Sequence, residues 1–543
     1  MKNEIKHKLL SLSISGLLTF SVAICFTGCI DYLTEDEPGM TKLEDYYTSG
    51  TAAIQNVTGC YVPLMWEFNH TYYSEWFIGD VASDDALKGG QNTNDMASVY
   101  DIENWKTTID NDLLLEFYRA QYQGIARCNM ALAHIPDMAV DSVMTISVKN
   151  RLLGEVHFLR AYYYFRLLRI FGGVPLADHV INSDAEWNMP RASIADMFQF
   201  IIDDLTFANA NLWKKSQYDA ADLGRATKGA AQAMLQKTYL YMAGDYWNKH
   251  INGESPTTYY TLAKQWGDSV ILSNEYNLVA PSEYEKMFML AGENGDESLF
   301  EIQYMAHEEG DYGEGNGFTV GTFTQVLVRS RSTQIGSGWG FNHPTWNLYN
   351  EFEDGDMRRD IAILNPDPAL MDNVNEETYL GSALLNNKYG AYKDLPGGVA
   401  HAARGPLNNK QIRYADVLLM QAEICAGLGD PTNATIYLNE VRTARGMATY
   451  PGYTYTTTTP STGDALTDAI RHERRCELAM EGHRWFDIVR WGKTKQTMDE
   501  YAKTENEQAR FQMGTFIEGK HELFPIPQKE IMLNSALTQN ALY

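Results

Sequence analysis

Cysteine is scarce in this chain. Six occur in 543 residues, with no C-x-x-C pair and no ligand spacing, so no cysteine-based metal site is expected. Cys60, Cys128, Cys425 and Cys476 read as small buried hydrophobes, with a disulfide left open by an exported context. Cations are also short: 44 Lys and Arg face 70 Asp and Glu, a formal net charge of -26. That field repels polyanions at long range, so nucleic acid and a bare anionic membrane are poor partners, while a neutral ligand pays no penalty. Catalytic signatures are missing as well. There is no H-E-x-x-H and no G-x-S-x-G, and His472-Glu473-Arg474 stops short of a second histidine. GTFIEGKH, from Gly514 to His521, has the spacing of a phosphate loop but puts His521 where a magnesium-binding Ser or Thr must stand. No enzyme motif survives, and no cofactor or resident metal is expected. The acidic run GDVASDDA offers Asp80, Asp84 and Asp85 to a hard cation, yet without EF-hand spacing, so it reads as a solvated loop.

What the chain does have begins with its leader. Lys2, Lys6 and Lys8 precede a mostly apolar run from Leu9 to Phe26, then Thr27, Gly28 and Cys29. This is the pattern of an export signal; a spanning anchor is the alternative, disfavoured by the interrupting Ser and Thr and by the lack of a basic stop. Thr-Gly-Cys looks like a bacterial lipobox, with Phe26 where Leu is usual, and implies lipidation at Cys29 and membrane attachment through acyl chains. The expected division is a signal peptide over 1–28, an acidic tether over 29–40 and a single body over 41–543.

Within the body, helical spacing marks Leu113 to Ile135, the segment around Leu152 to Leu167, and then Ala192 to Leu212, Thr227 to Ala243 and Tyr260 to Leu272. It returns at Ile412 to Leu428, Asn433 to Arg445 and Asp464 to Met480. Pro136 ends the first of these, and Gly172, Gly173 and Pro175 end the second. Paired helices with Ala-rich faces suggest a tetratricopeptide-like stack, although no thirty-four-residue register repeats. The expectation is a mostly α fold: a helical scaffold over about 110–275 and 410–543, and loop-rich ligand regions over about 60–110 and 280–410. PGYTYTTTTPSTGD, from Pro451 to Asp464, reads as a surface excursion.

One stretch is dense in charge: HERRCELAMEGHRWFDIVRWGK, His472 to Lys493. Glu473, Glu477 and Glu481 stand four apart, like charges on one helical face that need cations nearby. Arg474, Arg484 and Arg490 are the local candidates, with Gly482 closing the helix and Trp485 and Trp491 as a roof. A glycosidase pair is the functional reading; a structural ion network is preferred, because carboxylates among arginines ionise too readily to act as general acids.

The same stretch closely resembles the C-terminal signature of the RagB/SusD family of surface glycan-binding lipoproteins. So do GEVHFLRAYYYFRLLRIFGGVPL (Gly154 to Leu176), MPRASIADMFQFIIDDL, GRATKGAAQAMLQKTYLY, NKQIRYADVLLMQAEICAGLGD and KHELFPIPQKEIMLNSALTQN, collinear over most of the chain. The resemblance implies a SusD-like fold, in which helix pairs scaffold a loop-rich ligand region. It implies an outer-membrane, cell-surface location, capture of oligosaccharide or polysaccharide, and delivery to a SusC-like TonB-dependent transporter. It implies no enzyme. A peptide or another nutrient on the same scaffold is the alternative ligand, and a surface glycosidase a further one.

A sugar ring offers an apolar C–H face and a polar rim, so its site needs flat aromatic surface beside donors and acceptors. By position and composition the candidates are Trp76, Trp105, Tyr312 and Trp339, with Asp84, Asn92, Asn94 and Arg331 as polar partners. For each ring core packing is the competing role.

Overall fold

The helices of the computed structural model follow the apolar spacing of the sequence. It describes residues 46–66, 76–251, 254–305, 321–335, 338–371, 381–389, 405–503 and 514–543. The principal helices are α1 (Gly50–Tyr61), α2 (Asp112–His134), α3 (Ile146–Phe171), α4 (Ile194–Asn211), α5 (Lys228–Ala243) and α6 (Pro256–Ile271). After a long interval come α7 (Tyr414–Gly427), α8 (Pro431–Ala444), α9 (Ala465–Glu477) and α10 (Arg484–Arg490). Their starts are chemically specified. Asn111, Thr145, Ser193, Thr227 and Asp464 each accept a hydrogen bond from the backbone N–H three residues on, a cap worth about 1 kcal/mol. The predicted Leu113–Ile135, Ala192–Leu212 and Thr227–Ala243 lie within two residues of the observed helices, α3 and α6 start four or more residues before the predicted Leu152 and Tyr260, and Ile412 belongs to a strand and not to α7.

Each helix packs on the next: α2 on α3, α3 on α4, α4 on α5, α5 on α6, α6 on α7, and α7 on both α8 and α9. This is the expected stack of helix pairs, with α3 buried around nearly its whole circumference. Close approach is made possible by glycine. At Gly267 of α6 a Cβ would fall 2.0 Å from Gln421 Oε1 and 2.4 Å from Gln236 Nε2. The amides of α5 and α7 therefore meet beside that bare α-carbon, Gln236 donating to Gln421 at 2.9 Å and Gln421 donating to Asp268 at 2.7 Å.

The stack passes from α6 to α7 without a break, although some 140 residues of chain separate them in sequence, so the loop-rich region is an insertion between two consecutive scaffold helices. Its neck is a ribbon: β2 (Ser298–Ile302) pairs antiparallel with β6 (Asn409–Arg413). A second ribbon, β1 (Ala86–Gly89) with β3 (Phe341–Pro344), ties the N-terminal loops to the insertion, pairing Leu87 with His343 and Gly89 with Phe341. β4 (Ile363–Leu364) and β5 (Leu385–Asn386) make a third. Residues Gly50–Tyr543 form one compact unit. Among the described residues no helix is long and apolar enough to cross a membrane. Cys29 and the leader lie outside the described residues. Cys60, Cys128, Cys425 and Cys476 are buried free thiols.

Candidate functional site

Among the described residues, two clusters of polar side chains contain the residues singled out from the sequence, and they behave differently. The first is the charge-rich stretch, which is a sealed ion network. Helix α9 ends at Glu477, earlier than expected; Met480 and Gly482 then take positive φ, and Glu481 lies in that turn. Glu473 and Glu477 are wholly buried. The cations that answer them come from afar. Glu477 receives Arg445 at 2.9 Å, Arg413 at 3.0 Å and Arg358 at 3.0 Å, and Glu473 receives Arg358 at 2.5 Å and Arg442 at 2.6 Å. Glu481 takes Lys388 at 2.6 Å and Arg413 at 2.7 Å. Burial by itself would raise these acids, but the guanidiniums of Arg445, Arg413 and Arg358 hold Glu477 well below the usual range, and Arg413 and Lys388 hold Glu481 down to about 2. Buried and ionised, neither can protonate a glycosidic oxygen.

The structural reading of the stretch therefore holds, while the expected pairings do not. Arg474 serves Asp416 and Asp487, each at 2.6 Å, Arg490 serves Glu423, and Arg484 serves Asp84. Trp491 does cover the network, donating to Glu423 at 2.8 Å and lying under Arg471 and Arg490, whereas Trp485 packs against Phe516 and Phe524.

Asp84 needs correcting as a sugar-binding candidate. It is 1% exposed, held by Arg484 at 2.8 and 2.9 Å and by Arg475 at 2.9 Å, so its acceptor capacity is spent inside the protein. The run GDVASDDA is no solvated loop either: Asp80, Asp84 and Asp85 are all buried, Asp80 accepting from the Gly482 N–H at 2.9 Å. Pro451 to Asp464 is a surface loop as expected, and it is anchored from below where Thr458 and Thr459 accept from Arg475 and Arg484. Sequence spacing could not show these pairings, since Asp84 and Arg484 are 400 residues apart.

The second place is the open end of the β1–β3 ribbon. Asn92 and Asn94 are exposed in the loop that follows β1, where Asn92 Oδ1 accepts the N–H of Asn94 at 2.9 Å and of Asp95 at 3.2 Å. Arg331, half-buried, donates to Asp95 at 2.7 Å. The chain then doubles back: Gly338, Trp339 and Gly340 donate to the carbonyls of Ser330, Val326 and Arg329, and the Gly90 N–H bonds the Gly340 carbonyl. Trp339 is half-buried, its ring tilted against Phe323 with centroids 6.1 Å apart. Four of the eight candidates, Asn92, Asn94, Arg331 and Trp339, thus share one loop cluster.

Trp105 does not join them and is the other correction. It is 8% exposed, edge-on to Phe516 at 5.5 Å, and packs in the core because burying an indole outweighs what an isolated exposed ring can gain. Trp76 opens a short helix, Trp76–Gly79, and Tyr312 lies outside the described residues. Sequence reasoning missed Lys88. It is fully buried beneath the loop, donating to the carbonyls of Asn92 at 3.0 Å and Asp95 at 2.7 Å, with its own N–H on Glu103. Burial lowers Lys88 to about 8 and raises Glu103 to about 7. A lysine beside two glycines in a polar loop gave no periodic signal that could have announced this.

Comparison with known proteins agrees with the helical scaffold and its insertion. Residues 31–240 match a family described as starch-binding associating with outer membrane, and residues 403–543 match the SusD family. A SusD-like protein of Bacteroides ovatus is 26% identical over 510 residues, 90% of this chain and 83% of that one. A solved laminarin-binding SusD-like protein is 26% identical, with a TM-score of 0.75 over 92% of this chain and 100% of its own. A SusD homologue from Bacteroides thetaiotaomicron, 22% identical, shares the fold with a TM-score of 0.76 over 93% of this chain and 99% of that one. With family matches at both ends and a fold shared along more than nine-tenths of its length, the chain belongs to the RagB/SusD family.

Proposed function

We propose that this protein is a cell-surface lipoprotein that captures oligosaccharide without cleaving it and delivers it to a SusC-like TonB-dependent outer-membrane transporter. The observation that carries the reading is the loop cluster at the β1–β3 ribbon. The half-buried indole of Trp339 and the guanidinium of Arg331 belong to one loop and the exposed amides of Asn92 and Asn94 to another, joined by the Gly90 N–H on the Gly340 carbonyl, and together they would supply the flat apolar face and polar rim that a sugar requires. The family description that names starch binding and the outer membrane supports it, as does the laminarin-binding relative. Absence of cleavage is supported by the burial of Glu473 and Glu477 among arginines, which keeps both carboxylates away from a bound sugar. Attachment would be through lipid on Cys29, after loss of residues 1–28 and with 29–40 as tether to the body at 41–543.

The test is glycan-array binding and calorimetry of the mature protein and of Trp339→Ala, with chromatography of the recovered ligand. Binding that is lost by tenfold or more in Trp339→Ala, and a ligand recovered intact, is the expected result. A peptide bound equally by both forms, or hydrolysed glycan, would overturn it.

A further inference from the structure

Lys88 is placed where a charged side chain is rarely found. It lies on β1 and is fully buried, and the loop that follows folds back over it: Nζ donates to the Asn92 carbonyl at 3.0 Å and to the Asp95 carbonyl at 2.7 Å. Desolvating an ammonium is costly. Here the two carbonyls, the face of the Phe341 ring 5.3 Å away and the charges of Glu103 and Asp95 offset that cost.

Two glycines let the chain pass so close. Gly89 and Gly90 both take positive φ, and a Cβ on Gly90 would fall 2.4 Å from Phe341 Cε1 and 3.0 Å from Lys88 Nζ. The ties within the loop itself lie at the exposed surface. Asp95 Oδ2 accepts the Gln91 N–H at 2.8 Å, and Asn92 Oδ1 accepts the N–H groups of Asn94 and Asp95 at 2.9 and 3.2 Å. Solvent-exposed bonds of that kind open readily, whereas those of Lys88 are made from the buried side. Asp95 also receives Arg331 at 2.7 Å, so the hold on its carbonyl steadies the link to the loop that carries Trp339.

We infer that Lys88 is a positioning residue for glycan capture: from beneath, its ammonium holds the Gly90–Asp95 loop in one shape before any sugar arrives, so that the Asn92 and Asn94 amides are presented preset beside the Trp339 loop. This rests on the glycan-binding reading above and adds to it the residue that orders its site. Lys88 itself touches no ligand. The Asn94 amide is exposed and bonded to no described residue, so it is free to meet a sugar hydroxyl. Ordering a loop in advance strengthens binding, because association no longer has to supply the ordering, and for two presented amides the gain is about tenfold in affinity.

The experiment uses the full mature protein and Lys88→Met, which keeps the apolar stem and removes the ammonium. Without ligand, hydrogen exchange read by mass spectrometry should speed up about tenfold or more in the Gln91–Asp95 peptide and stay unchanged in helices α2 to α5. Calorimetric titration with the oligosaccharide that wild type holds tightest on the glycan array should show affinity weakened about tenfold. Lys410→Met is the control for a merely structural lysine, since Lys410 is 4% exposed and pairs with Glu301 at 2.7 Å: it should lower the melting temperature and leave affinity unchanged. In an Asn94→Ala background Lys88→Met should weaken binding by clearly less than in wild type, because it acts through that amide; independent, additive losses would speak for a structural role. Lys88→Gln, a shorter neutral donor, should fall between the two forms and carries the test if Lys88→Met does not fold. Unchanged exchange in the loop, or affinity equal to that of wild type, overturns the inference while leaving glycan capture standing. Failure of wild type to bind any glycan overturns the proposed function and the role of Lys88 in it.

Discussion

Replacing Glu477 by Gln tests the central physical argument, that the charge-rich signature is scaffold and not catalyst. The side chain is fully buried and receives Arg445, Arg413 and Arg358 within about 3 Å, so the neutral amide withdraws one negative charge from three guanidiniums at once. Each keeps another acid: Arg445 has Glu297 at 2.7 Å, Arg413 has Glu481 at 2.7 Å, and Arg358 has Asp356 at 2.7 Å. The loss is therefore partial, and removing one member of such a buried network costs roughly 3–5 kcal/mol. Unfolding entropy of about 2 cal/mol/K per residue gives about 1 kcal/mol per degree for 543 residues, so the melting temperature should fall by about 3–4 °C. Differential scanning calorimetry reads this against Glu283→Gln, which breaks an exposed pair with Lys286 and should shift nothing measurable. Glycan affinity of the folded Glu477→Gln protein should equal that of wild type. An unchanged melting temperature together with lost glycan processing would refute the reasoning.

Trp105→Ala should lower the melting temperature by about as much as Glu477→Gln, since emptying a buried indole site costs roughly 3–5 kcal/mol, and it should leave glycan affinity alone; weakened binding at unchanged stability would return Trp105 to the ligand site. Gly79→Ala should destabilise the fold, because a Cβ there would fall 2.1 Å from the Gly482 carbonyl, backbone against backbone; calorimetry showing no shift would contradict this contact. Asp80 is raised to about 7, by burial first and then by Asp85. Its folded form thus holds a proton that the unfolded chain releases near pH 4, so its contribution to stability is lost as pH rises from about 4 through 7. Melting curves of Asp80→Asn should accordingly gain on wild type between pH 5 and pH 7.5, and a flat difference would count against the assigned protonation.

The helices were legible because a period of 3.6 residues is a local property of sequence, as are Asn111, Thr145, Ser193, Thr227 and Asp464 at their starts. The ribbons were not. β1 and β3 are four residues each and buried on both faces, so they carry no alternation to read. The same limit explains the candidate site. Asn92, Asn94, Arg331 and Trp339 were named from their loop company, and Trp105 and Asp84 were named on the same grounds, yet burial sorted them apart. Lys88 drew no notice at all, being an ordinary cation until its neighbours are known.

What the sequence settled alone, then, is the helical scaffold, its interruption by a loop-rich stretch and the family, all of which depend on local spacing and on collinear segments. Tertiary structure alone decided which charge meets which. An ion pair depends on separation in space, and α9 draws its countercharges from Arg358, Arg413, Arg442 and Arg445, brought to it by three other parts of the chain.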